Sequence, residues 1–248
     1  MNNQTLIIEA AEIIRNSKKI VVFTGAGSST ESGIADFRSE GGLWSRYDPS
    51  IYANYHYFLQ DPSKFWKMHN ELVDLLQDSK PNAIHKAVAK LEKLGKVNAI
   101  ITQNIDALHQ AAGSGEIIPI YELHGSYKQL ECVKCSKQYK FEEVESKNVK
   151  FPVCECGGFI KPKVVLFGEP LPSRVLDAAI GVSSNCDCFL MIGSSLLVSP
   201  ANFMPQIAKK SGAKIIFINR ENTSMDELAD VFILGSGGEI LTEIMNLL

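Results

Sequence analysis

Val21-Val22-Phe23-Thr24-Gly25-Ala26-Gly27-Ser28-Ser29-Thr30 passes from an apolar run to a glycine turn and then to residues that suit a helix start. A short apolar run bounded by turn residues reads as a buried strand. Glycines let the backbone bend and approach a pyrophosphate, and a helix N-terminus favours its charge. The same turn also occurs with no ligand. It falls short of the full G-x-G-x-x-G fingerprint, because Thr30 holds the place of the third glycine. The acidic residue expected about 20 residues on, at the end of a second strand, is missing too. Gly33-Ile34-Ala35-Asp36-Phe37-Arg38 follows instead, and a standard dehydrogenase is disfavoured. Arg38 suits a phosphate as a charged fork, or it is an ordinary surface arginine.

Outward from this turn the chain keeps a regular rhythm. Leu6, Ile7, Ala10, Ile13 and Ile14 form a helical stripe before it. Strand-like runs are expected at 98–102, 117–121, 163–167, 188–192, 214–218 and 231–234, with helical patterns at 82–94, 173–183 and 200–210. Strands alternating with helices predict an α/β fold, a Rossmann-like doubly wound, mostly parallel sheet. Two segments break the rhythm and read as insertions. Residues 39–80 are rich in aromatics and helical patches, and 126–161 carry four cysteines. The expected division is therefore 1–38, 81–125 and 162–248 for the large domain, 39–80 for a helical insertion, and 126–161 for a small metal module.

The 248 residues, 45% hydrophobic, are enough for one sizeable core with insertions. A net charge of −3 gives no general reason to expect nucleic-acid binding. No apolar run approaches about 18 residues, so no membrane span is expected. The first residues lack a basic segment and carry Glu9 and Glu12, which argues against a secretory signal and for a cytoplasmic protein. No feature of the sequence sets an oligomeric state, and a monomer is compatible with all of it.

Three further stretches carry chemistry. Thr102-Gln103-Asn104-Ile105-Asp106 follows a strand, where α/β proteins bind ligands. The alternative there is a helix cap, since Asn and Asp cap well. Leu123-His124-Gly125 places a histidine at another strand end, suited either to general-base work or to a satisfied structural role. Cys132-x2-Cys135 and, after 18 residues, Cys154-x-Cys156 with Gly157-Gly158 form two close pairs. Four thiolates suit a closed tetrahedral zinc site, which organises structure and leaves no open catalytic position. Free or disulfide-bonded cysteines are the competing reading. Cys186 and Cys188 read as small buried hydrophobes.

In order along the chain, Gly25-Ala26-Gly27-x-Ser29, the 33–38 stretch, Thr102 to Asp106, Leu123-His124-Gly125, the cysteine pairs, Phe167-Gly168-Glu169 and Gly193-Ser194-Ser195 resemble the sirtuin family of NAD-dependent protein deacylases. The resemblance runs from about residue 20 to 219. It implies a cleft holding NAD and an acyl-lysine protein or peptide, with one structural zinc ion. Gly25, Ala26, Gly27 and Ser29 would hold the diphosphate and ribose region. Asp36 and Arg38 would lie on the cofactor, with Phe37 over the nicotinamide site. Asn104, Ile105 and Asp106 would line the nicotinamide pocket, with Gln103 at the ribose. Gly193, Ser194, Ser195 and Asn219 would contact the adenosine half. Val164, Phe167 and Gly168 would meet the peptide by strand addition.

The chemistry this resemblance implies has the acyl oxygen displace nicotinamide at C1′ of its ribose. His124 then acts as base on the ribose hydroxyls, which attack the acyl carbon. The products are free lysine, nicotinamide and O-acyl-ADP-ribose. Ser28 and Ala35 depart from the usual apolar residue and proline, and are expected to loosen the cofactor loop. Ser194 replaces a common threonine. No Tyr-x-x-Arg pair occurs around residues 65–70, so acetyl or longer apolar acyl groups are expected over succinyl. Protein ADP-ribosylation on the same scaffold and a non-catalytic NAD-sensing module are the alternatives.

Overall fold

In the computed structural model, which describes residues 2–36, 41–145 and 150–248, the opening apolar run is strand β1 (Ile20–Thr24). Its side chains divide by the two-residue period of a strand. Ile20 and Val22 enter one core, and Val21 and Phe23 enter another. A strand buried on both faces needs a helical layer on each, and the chain supplies them. Helices Asn3–Asn16, Ala83–Lys93 and Gly237–Leu247 put Ile14, Leu91 and Leu241 into the first core. Helices Ser173–Ser184 and Met204–Lys210 put Ala179 and Met204 into the second.

The remaining strands of the large sheet are β2 (Val97–Thr102), β3 (Ile120–Glu122), β7 (Cys188–Ile192), β8 (Lys214–Asn219) and β9 (Val231–Leu234). Between them in the chain lie β4 (Gly125–Cys132), β5 (Gln138–Lys140) and β6 (Ile160–Val164). The six-stranded order is β3-β2-β1-β7-β8-β9, and every pairing is parallel. The order reverses between β1 and β7. In open α/β sheets that switch point, at the carboxyl ends of the strands, opens a ligand crevice.

The strand expected at 163–167 lies earlier, at Ile160–Val164, and joins a different sheet. It pairs antiparallel with β4 in a three-stranded sheet of order β5-β4-β6. Apolar content alone cannot tell which partner a strand will take. The expected helix after the glycine turn is also replaced, by two short 3-10 turns at Ala26–Ser28 and Thr30–Ser32.

The two insertions share one core. Phe58, Phe65 and Trp66 from the aromatic segment pack with Leu130, Ile160 and Val164 of the small sheet. His69 lies within this core against the rings of Phe65 and Trp66, at 5.3 and 5.2 Å. Burial pushes its pKa down to about 3. His109, buried beneath the large sheet's carboxyl edge, is also brought to about 3, by burial and then by the neighbouring His85.

Unfolded histidines take a proton near pH 6.5, whereas these two do so only near 3 when folded. Between those values the unfolded state binds the extra protons, so stability falls as pH drops below the unfolded pKa. Each histidine is expected to cost roughly 1.4 kcal/mol per pH unit in that window. Urea unfolding at pH 7 and pH 5 should show this loss, and His69→Phe should reduce it. Equal pH slopes in wild type and variant would refute the assignment to His69.

Candidate functional site

At the switch point the glycine turn after β1 meets the turn after β7, main chain to main chain. Gly27 N donates to Gly193 O at 2.8 Å, and Gly25 N to Ile192 O at 3.2 Å. Gly193 has φ +64°, and a Cβ there would stand 2.3 Å from Ser28 N. Only glycine fits this approach. Peptide groups, with little side chain, therefore form one wall of a cleft of about 580 Å3, a size that suits a small-molecule cofactor.

Ala26, Gly27, Asp36, Gln103, Asn104, His124, Gly193, Ser194, Ser195 and Asn219 line this cleft together. Ser29, Ile105 and Asp106 line a smaller adjoining recess with Ile34, Leu72 and Leu76. Gly25 packs behind the wall against Ser194. Val164, Phe167 and Gly168 are absent from the cleft lining and sit on the small sheet and the turn after it. Phe37 and Arg38 lie outside the described residues.

Asn104 is held from several sides. Its Nδ2 donates to Gly25 O at 3.1 Å, Ser28 Oγ at 3.0 Å and Ser29 Oγ at 3.1 Å. Its backbone N–H donates to Thr102 Oγ1 at 3.0 Å. Ser29 Oγ donates in turn to Asp106 Oδ2 at 2.6 Å. Asp106 Oδ1 accepts the Leu108 N–H at 2.9 Å, so the capping role and the site role coexist in one carboxylate. Gln103 Oε1 accepts from Ser194 Oγ at 2.7 Å, and Asn219 Nδ2 donates to Ser194 O at 3.2 Å. The serine keeps the hydroxyl of the threonine it replaces.

The expected loosening at Ser28 does not occur. Ser28 is fully buried, donates to Gly25 O at 2.8 Å and accepts from Asn104. Its backbone O accepts from Asn82 Nδ2 at 2.8 Å, which ties the turn to the cap of helix Ala83–Lys93. The hydroxyl tightens the loop, because its polar atom is satisfied on both sides.

His124 Nδ1 lies 2.9 Å from Gln103 O. A carbonyl only accepts, so Nδ1 carries the proton and the lone pair of the neutral ring is on Nε2. That tautomer is the one a general base needs.

Sequence reasoning passed over several residues. Arg220, Glu221 and Asn222 line the cleft after β8, and Gly235 lines it after β9. Their signal was available, since ligands bind at strand carboxyl ends. Nothing in the spacing around His85 and His109 marks them out. They lie beneath the site with ring centroids 4.9 Å apart. His109 Nε2 is 2.9 Å from Thr24 Oγ1, which donates to Thr102 Oγ1 at 2.9 Å. No local pattern announces that network.

The four cysteines of 126–161 converge, with their sulfurs all within 4.8 Å of one another. Cys132 and Cys156 sulfurs are 3.5 Å apart, and those of Cys135 and Cys154 are 3.7 Å apart. A zinc ion with Zn–S bonds of about 2.3 Å separates its tetrahedral ligands by roughly 3.8 Å, whereas a disulfide is near 2 Å. The donor set fits zinc. A Cβ on Gly158 would lie 2.6 Å from Cys132 Sγ, so glycine is needed where the chain closes around the sulfurs. The Tyr139 hydroxyl donates to Cys154 Sγ at 3.0 Å and draws that thiol down to about 6, a supporting contact of the kind that orients metal ligands. Cys186 and Cys188 are buried, and burial pushes both thiols up to about 12.

A switch-point cleft walled by glycine turns, beside a four-thiolate module, defines a nucleotide-binding α/β protein with a structural zinc site. The chain belongs to the Sir2 family, whose family model matches residues 25–200. NAD-dependent protein deacylase 2 of Archaeoglobus fulgidus is 50% identical over 243 residues, covering 96% of this chain and 94% of that protein. NAD-dependent protein deacetylase of Thermodesulfovibrio yellowstonii is 44% identical over 246 residues, covering 98% and 95%. Among solved structures, a Sir2 enzyme studied for mechanism and regulation superposes with a TM-score of 0.91 at 48% identity, covering 98% of both chains. A Sir2 complex with a p53 peptide and NAD+ gives 0.88 at 37% identity, covering 96% of each.

Two outcomes are expected. Removing the hydroxyl in Ser28→Ala should lower stability by about 1 kcal/mol, read as an earlier urea midpoint; an unchanged midpoint would show that the two bonds contribute nothing. Metal analysis should find about one zinc per chain, released by a thiol-modifying reagent. Finding no zinc, with disulfides in the intact protein, would rule the metal reading out.

Proposed function

We propose that this protein is an NAD-dependent protein-lysine deacylase that releases nicotinamide and O-acyl-ADP-ribose. The observation that carries this reading is the convergence of Asn104, Gln103 and His124 on the cleft at the sheet's switch point. The names of its relatives, NAD-dependent protein deacylase and deacetylase, agree with it.

The cleft residues fit NAD in kind. Ala26, Gly27 and Asp36 would hold its phosphate and ribose region, with Gly25 backing that turn and Ser29 in the adjoining recess. Gly193, Ser194, Ser195 and Asn219 take the adenosine half. Gln103 would face the nicotinamide ribose, and Asn104, Ile105 and Asp106 would line the nicotinamide pocket. Phe37 and Arg38 complete the set on the family pattern. When bound, NAD supplies an electrophilic ribose carbon with nicotinamide as the leaving group.

His124 removes a proton from the ribose hydroxyls through Nε2, and Gln103 O holds the ring in that tautomer. Asn104 keeps a fixed amide orientation because Gly25, Ser28 and Ser29 all accept from it. Such orientation lowers the barrier without new chemistry. Cys132, Cys135, Cys154 and Cys156 hold zinc as a structural brace. The peptide lies along Val164, Phe167 and Gly168, and the large sheet carries the cofactor.

Acetyl and longer apolar acyl groups are preferred over succinyl. Residues 65–70 carry no Tyr-x-x-Arg pair to meet an acidic acyl group in the acyl site. Burying an unpaired carboxylate there is costly. Among the described residues no helix is long and apolar enough to cross a membrane. The six cysteines form no disulfide, which agrees with a reducing, cytoplasmic setting.

The test is a panel of acyl-lysine peptides with labelled NAD, read by mass spectrometry. Acetyl-lysine should be converted to lysine with label in O-acyl-ADP-ribose, and His124→Ala should lose at least about a hundredfold in rate. Label on the protein would favour ADP-ribosylation instead. Succinyl turnover equal to acetyl would defeat the acyl preference.

A further inference from the structure

Lys161 and Glu169 form an ion pair at 2.7 Å, with the lysine side chain 5% exposed and the glutamate 17%. Removing two charges from water is expensive, and an apolar pair often holds a fold equally well. What an apolar pair cannot do is satisfy backbone. Lys161 Nζ also donates to Val164 O at 2.8 Å, and Glu169 Oε2 also accepts the Leu166 N–H at 2.8 Å. The ammonium lies 5.7 Å from the centroid of the Tyr55 ring.

The main-chain groups of the turn can be accounted for one by one. Val165 N donates to His124 O at 2.9 Å, which fastens the turn to the base. Phe167 N donates to Ala53 O at 2.8 Å, and Phe167 O accepts from Tyr55 N at 3.0 Å. Glu169 N donates to Leu166 O at 3.0 Å. Among the described residues, Val165 C=O, Gly168 N–H, Gly168 C=O and Glu169 C=O take no hydrogen bond. Val165 C=O and Gly168 N–H are an acceptor and a donor, and Gly168 is exposed.

We propose that Lys161 and Glu169 are positioning residues for the peptide. By drawing Val164 C=O and Leu166 N–H inward, the pair turns Val165 C=O and Gly168 N–H toward an added strand of the acyl-lysine substrate. This rests on the deacylase reading and adds to it the device that shapes the peptide site.

The test is the double variant Lys161→Met with Glu169→Leu, which removes both charges and leaves neither unpaired. KM for an acetyl-lysine peptide should rise about tenfold, a tenfold weaker peptide Kd should appear by calorimetry, and KM for NAD should stay within about twofold. Zinc content and thermal midpoint check that the fold is kept. A folded double variant with wild-type peptide KM and Kd overturns the proposal. If the double variant is recovered unfolded, Glu169→Gln keeps the volume and one acceptor without the charge. It should raise peptide KM about threefold, and an unchanged value also overturns the proposal. Failure of the wild-type protein to release nicotinamide with the peptide would instead defeat the deacylase reading. Calorimetry of peptide binding then still decides the role of the pair.

Discussion

The contact between Gly193 and the turn at Gly27 and Ser28 is the constraint from which the rest of the site follows. Two parallel strands, β1 and β7, send their chains to opposite faces of the sheet, and their turns must still touch. With φ +64° at Gly193 and no room for a Cβ, the two turns meet as bare backbone. That contact closes one end of the cleft with peptide groups and fixes where Ser28, Ser29 and Ser194 can point. Asn104 then has a rigid wall to bond against, and Asn104, Ser29 and Asp106 become one connected set. A loose turn would give none of these side chains a defined orientation.

The same economy governs the second half of the molecule. The zinc module and the aromatic insertion are far apart in sequence, yet neither has a core of its own. Phe58 and Trp66 cover Leu130 and Ile160, and the cysteines stitch the far end of the small sheet. This joint core lies next to His124, because β4 continues directly from it and β6 returns beside β4. The four cysteines, the 164–169 turn and His124 are thus linked through two short antiparallel strands.

Much of this was legible along the chain where physics is local. The apolar runs at 20–24 and 188–192, the turn at Gly25, and the cysteine spacing each reflect neighbouring residues, so pattern alone located them. The strand expected at 163–167 forms at 160–164 and in the other sheet, since hydrophobic content records burial and not partnership. Ser28 was misread for a related reason. A hydroxyl in an apolar position looks disruptive until its two partners, Gly25 O and Asn104, are brought to it from separate segments. His85, His109 and Lys161 carry no periodic signal, and only their surroundings make them more than ordinary residues.

By itself the sequence determined the alternation of strands and helices, the glycine turn, the four thiolate ligands and the order of motifs that marks the Sir2 family. These depend on side-chain type and short spacing, which a linear chain states directly. Tertiary structure alone decided which strand joins which sheet, that two insertions share a core, which tautomer His124 holds, and which backbone groups of the 164–169 turn are consumed. Each of those is a pairing between distant segments. Pairing is settled by three-dimensional competition for hydrogen bonds and buried area, and spacing along the chain does not encode it.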